Sequence, residues 1–140
     1  MRVFKHIDVA GSALTAHRLW VDTISQNLAN VNTSRTPEGG PYIRRVPVFQ
    51  QILDEIGEEG KVKGGVKVVE IAKDTSSAPR LVYQPDHPDA DEEGYVAMPN
   101  VSVVREMADM MTASRAYEAN LAVTGSAKNM WLAALDILKG

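Results

Sequence analysis

The residues able to do chemistry are few and poorly arranged for it. Asp89-Ala90-Asp91-Glu92-Glu93-Gly94 is the densest acidic stretch, and it matches positions one, three, five and six of a calcium-binding loop. Its twelfth position, which needs a bidentate Glu, is Asn100. Pro85 and Pro88 also break the helix that should lead in, so a solvated acidic loop is the better reading. His6, His17 and His87 are scattered, and there is no cysteine, so no zinc-ligand spacing exists. Ser12, Ser25, Ser114 and Ser126 fall in helical patterns rather than on a strand–turn–helix elbow. Gly64-Gly65 lacks the lysine and spacing of a phosphate loop. The sequence supplies no catalytic set, no metal set and no cofactor site.

The elements that would hold such residues are more informative. Ile7, Leu14, Val21 and Leu28 repeat every seven residues, with Ala10, His17, Ile24 and Val31 three positions later. That spacing predicts a long amphipathic helix, stopped by Asn30, Asn32 and the loop through Pro37, Gly39, Gly40 and Pro41. At the other end Met107, Met110, Ser114, Tyr117, Leu121, Thr124, Lys128, Trp131, Leu135 and Leu138 keep 3–4 spacing and predict a second, longer helix. Its start falls at Pro99-Asn100 or Ser102. Between the helices, Tyr42–Phe49, Gly65–Ile71, Arg80–Tyr83 and Gly94–Met98 read as strands of a small antiparallel sheet. Pro47 marks an edge, and Asp54–Lys63 and Asp86–Glu93 read as charged loops. The fold class is therefore α+β, divided as residues 1–33 (first helix), 34–99 (β-rich middle) and 100–140 (last helix).

Charge follows the same division. Residues 34–95 hold 8 Lys+Arg against 12 Asp+Glu, an acidic excess larger than the chain's net charge of −3, and both ends are nearly neutral. This balance argues against a nucleic-acid partner. No run approaches the length of a membrane span, and the first eight residues lack the apolar core of a secretory leader.

Each helix also carries a second apolar stripe. On the first it is Val9, Ala13, Ala16 and Trp20; on the last it is Ala113, Ala116, Asn120, Val123, Ala127, Met130, Ala134 and Ile137. We expect Ile7, Leu14, Val21, Ile24 and Leu28 to form an intrachain seam with Met107, Met110, Tyr117, Leu121, Trp131, Leu135 and Leu138. The second stripes, Val9, Ala13, Ala16, Trp20, Val123, Ala127, Met130 and Ile137, are then left for other chains, because the β region is too short to cover helices of about 40 and 55 Å. A monomeric hairpin with a greasy surface, a closed coiled-coil adaptor or chaperone, and a calcium-dependent module are the other readings.

Ser12-Ala13-Leu14-Thr15-Ala16, followed by Ser25-Gln26-Asn27-Leu28-Ala29-Asn30-Val31-Asn32-Thr33, resembles the amino-terminal signature of flagellar rod and hook axial proteins. Glu106-Met107 and Ala113-Ser114-Arg115-Ala116-Tyr117-Glu118-Ala119-Asn120 resemble their carboxy-terminal helix. Pro85–Ala90, Glu93–Val96 and Pro99–Val101, with the short length, narrow the likeness to proximal-rod members. The chain departs from the usual Thr-x-Gly-Tyr turn by running from Thr33 into a longer Gly/Pro loop. The resemblance implies a non-enzymatic subunit exported without a cleaved signal and polymerised in the periplasm. Its terminal helices would line an inner tube, in contact with other rod subunits, with components of the export base and with its own copies. It marks Asn27, Leu28, Ala29, Asn30, Thr33 and Asn120 as family-motif positions.

Overall fold

A computed structural model describes residues 2–52 and 64–139. The expected loop Asp54–Lys63 lies outside the described residues. The chain runs as helix α1 (Arg2–Ala29), strands β1 (Arg45–Ile52), β2 (Gly65–Lys73), β3 (Arg80–Tyr83) and β4 (Tyr95–Met98), and helix α2 (Val103–Lys139). The α+β class and all four strands match the sequence reading. The single sheet does not: β1 pairs with β2 and β3 with β4, as two separate antiparallel ribbons.

α1 has no proline in its span, and Thr15, Thr23 and Ser25 return their hydroxyls to carbonyls four residues back instead of competing with the helix. It stops where Asn30 bonds twice to the Gln26 carbonyl, through its backbone N–H at 3.1 Å and its side-chain amide at 2.9 Å. Ser102 begins α2, its carbonyl accepting from the Glu106 N–H at 2.9 Å.

The two helices are antiparallel neighbours, since Asn27 near the end of α1 bonds Glu106 near the start of α2. α2 has 37 residues and α1 has 28, so about 14 Å of α2 extends beyond the partner helix. Ala10, Ala16 and Ile24 on α1 and Ala113 on α2 are buried. Three of these four are alanines, which let the helix backbones approach closely but bury little apolar area per residue.

The β1–β2 ribbon packs against α1. Its ladder runs in register from Arg45↔Lys73 to Val48↔Glu70, then resumes at Phe49↔Val68, leaving Val69 as an extra, bulged residue. Two contacts fasten the ribbon to the helix. Phe49 meets Trp20 edge-on, with centroids 5.8 Å apart, and lies 6.3 Å from His17. Farther along, the Val66 N–H donates to Ser12 Oγ at 3.1 Å, while that hydroxyl donates to the Val9 carbonyl at 2.7 Å. Gly65 has φ +150°, and a Cβ there would sit 2.6 Å from Ser12 Oγ.

Trp20 and Ala16, expected at contacts with other chains, are engaged within this one: Trp20 packs on Phe49 and Ala16 is 2% exposed. The β region does cover the second stripe of α1 over this stretch, because the bulged ribbon lies along the helix.

Candidate assembly surface

A buried polar junction fixes how the two helices meet the middle of the chain. Asn27 is fully bonded: its amide nitrogen donates to the Arg45 carbonyl at 2.8 Å and to Glu106 Oε2 at 2.9 Å. Its oxygen accepts from Tyr42 Oη and from the Arg45 N–H, each at 2.9 Å. The donor and acceptor partners settle the amide's orientation.

Arg44 is the hub beside it. Its Nε donates to Glu106 Oε1 at 2.5 Å, and its two terminal nitrogens donate to Asp74 at 3.1 Å and Asp109 at 2.9 Å. Asn100 completes the tie, accepting from the Arg44 N–H at 2.8 Å and donating to the carbonyls of Asp74 and Ser77. Burial works to lower the Arg44 pKa, but the hydrogen bond and charge of Glu106, with Asp74 and Asp109, more than reverse it, so it lies above its ordinary value. Hydrogen bonds from the Ser76 hydroxyl and N–H hold the Asp74 carboxyl below the usual range, and Arg44 adds to that against burial. Burial pushes the Tyr42 phenol up, with Glu106 reinforcing and Arg45 opposing it.

The junction has no chemistry left to offer a ligand. No buried side-chain nitrogen or oxygen among the described residues lacks a partner. Among those residues no cluster of His, Cys, Asp and Glu could hold a metal ion. Asp89, from the acidic stretch, is bonded to Ser34 Oγ at 2.8 Å and paired with Arg35 at 2.7 Å. Asp91 accepts from the backbone of Glu93 and Tyr95.

The unsatisfied surface is on α2. The residues turned toward the rest of the chain are Glu106, Met110, Ala113, Tyr117, Asn120 and Thr124, with Asp109, Ser114, Ala116, Ala127 and Leu135 partly covered. This inner face runs between the two stripes read from the sequence and takes members from both. At about 100° per residue, Met107 and Leu121 are turned away from buried Glu106 and half-buried Asn120, and both are exposed rather than seated in the expected seam. Trp131 and Leu138 follow the inner face in angle but fall at or beyond the stretch that α1 can reach, and they too are exposed. On α1, Ile24 is buried, while Ile7, Val9, Ala13, Leu14, Val21 and Leu28 are half-covered. His17, read as a seam residue, lies against Phe49 with Nδ1 2.7 Å from the Ala13 carbonyl.

What remains exposed on α2 is largely apolar and lies on two sides of the helix: Val104, Met107, Met111, Leu121 and Leu132 on one, Val123, Met130 and Ile137 on the other, with Leu138 on the inner line beyond the reach of α1. Burying one such side chain is worth about 1.5–3 kcal/mol, so these sides hold on the order of 10 kcal/mol of gross apolar stabilisation that one chain does not realise. No described helix is long and apolar enough to cross a membrane. The sequence reading missed Arg44, Asp74, Glu106 and Asp109 as partners. Asn27 and Asn120 it marked only through the family signature: Asn27 sits in the junction, and the Asn120 side chain returns to the Ala116 carbonyl at 2.8 Å. Of the other marked positions, Ala29 is exposed, Leu28 half-covered, and the Thr33 hydroxyl donates to Asn30.

Comparisons with known proteins bear on both ends. Residues 7–35 match the family of flagella basal body rod proteins, and residues 92–137 match the C-terminal family of flagellar basal body rod FlgEFG proteins. Full-length relatives include flagellar basal-body rod protein FlgC of Borreliella burgdorferi, 46% identical with all of both chains covered. The proteins of the same name from Escherichia coli O157:H7 and Bacillus subtilis are 43% and 40% identical, with at least 98% of each chain covered.

Proposed function

The chain belongs to the FlgC family of flagellar basal-body rod proteins, and on that footing we propose that it holds its place in the rod through the outward face of α2. It is a structural subunit of the flagellar basal body, of a family that is not enzymatic, and it assembles with other rod components. The observation that carries the proposed docking surface is the set of exposed apolar side chains on two sides of α2, from Val104 to Ile137, on a helix longer than its partner. A rod needs subunits with more than one apolar face, because open heterologous contacts propagate along a filament.

In this reading residues 1–33 and 100–140 form one assembly unit, and residues 34–99 form an outer unit fastened to it by the Asn27–Arg44–Glu106 junction. Val123, Met130 and Ile137 are docking positions on one side of α2, with Met107, Met111 and Leu121 on another. Export through the flagellar apparatus, assembly in the periplasm, contacts with the export base and contacts between copies belong to the same proposal, supported by family membership. The test is a Val123→Asp/Met130→Asp variant. It should fold as the parent does yet be missing from isolated basal bodies, whereas parental incorporation would overturn the docking face.

A further inference from the structure

The described methionines divide sharply by environment. Met107 and Met111 lie one turn apart on one side of α2, 56% and 60% exposed, and Met130, 68% exposed, lies farther along and about 100° around the helix from Met111. Met98 and Met110 are half-buried against the chain. With no cysteine in the sequence, thioethers are the only sulfur that a peroxide can meet.

We propose that oxidation of Met107, Met111 and Met130, exposed on two sides of α2, switches off docking through that helix, an inference that rests on the docking reading above. The step is a two-electron oxygen transfer. A hydroperoxide gives one oxygen to the thioether sulfur, forming a sulfoxide, and leaves as water or the corresponding alcohol. The product replaces a flexible apolar side chain with a polar S=O group. In one free chain that group stays hydrated, because all three side chains face solvent. On docking it would lose water with no partner arranged for it. Oxidation therefore leaves the fold intact and penalises only the assembled state. Met110, on the inner face beside Glu106 and Ala113, is the built-in control for access.

The test treats the full-length chain with hydrogen peroxide and maps oxidised methionines by peptide mass spectrometry. Photo-crosslinking from position 123 to purified sibling rod subunits is measured before and after, with far-UV circular dichroism as the check on folding. A Met107→Leu/Met111→Leu/Met130→Leu variant runs alongside. We expect the three outward methionines to gain oxygen before Met98 and Met110, with about a tenfold or greater fall in crosslinking and no change in the dichroism. The leucine variant should keep its crosslinking through the same treatment. Undiminished crosslinking by the oxidised chain, or an equal fall in the leucine variant, would overturn the proposal. Absence of crosslinks from the untreated chain would instead remove the docking reading, and this inference with it.

Discussion

Nε of Arg44 donates to Oε1 of Glu106 at 2.5 Å, and the carboxylate it reaches is closed entirely to solvent. The pair joins the residue just before β1 to the first turn of the last helix, across 62 residues of sequence. Breaking a buried pair from one side leaves an unmatched charge, which typically costs about 3–5 kcal/mol. Glu106→Ala is therefore expected to destabilise the chain by about that much in urea denaturation; a loss under about 1 kcal/mol would show that the junction does not hold the fold.

Asn27 sits 2.9 Å from the other oxygen of Glu106. Asn27→Asp replaces a donor by a second carboxylate, whereas Asn27→Ser keeps a small group able to donate. At neutral pH the Asp variant should be the less stable of the two, by more than about 1 kcal/mol. Raised salt will not restore it, because buried charges are poorly screened. Equal midpoints for the two variants would contradict this.

The Ser12–Gly65 contact fastens the β1–β2 ribbon to α1. Gly65→Ala should cost about 1–3 kcal/mol, from the positive φ and from the clash with Ser12 Oγ. Ser12→Ala alone removes the acceptor for the Val66 N–H and should cost about 1 kcal/mol. The double variant should lose less than the sum, since the clash is with the atom removed. Strict additivity would mean the contact is not the cause.

Asp74 sets a pH dependence of defined sign. Its folded pKa is below the usual value, so the stability it contributes is complete above the unfolded carboxylate pKa and is lost as pH falls through the folded one. Between about pH 5 and pH 2 the midpoint of unfolding should fall less steeply in Asp74→Asn than in the parent. Parallel curves would remove Asp74 from the acid response.

The sequence carried the helices and strands well because each has a local signature: heptads for α1, 3–4 spacing for α2, β-branched runs for the strands. It did not carry which face of α2 turns inward, since apolar residues surround that helix and periodicity cannot choose among its sides. Glu106 and Ala113 make the choice: one is drawn in by Arg44 and Asn27, the other is small enough for close approach. The junction itself was illegible because Asn27, Arg44, Asp74 and Glu106 are far apart in sequence, each ordinary in its own segment. The Trp20–Phe49 contact was equally illegible, since nothing local to either residue announces the other.

The most direct measurement is photo-crosslinking in living cells from position 130, on the outward face of α2, compared with position 20, which packs on Phe49. The docking account predicts crosslinks from position 130 to other rod subunits, and from position 20 only to residues of the same chain. Neighbour crosslinks from position 20, with none from position 130, would contradict it.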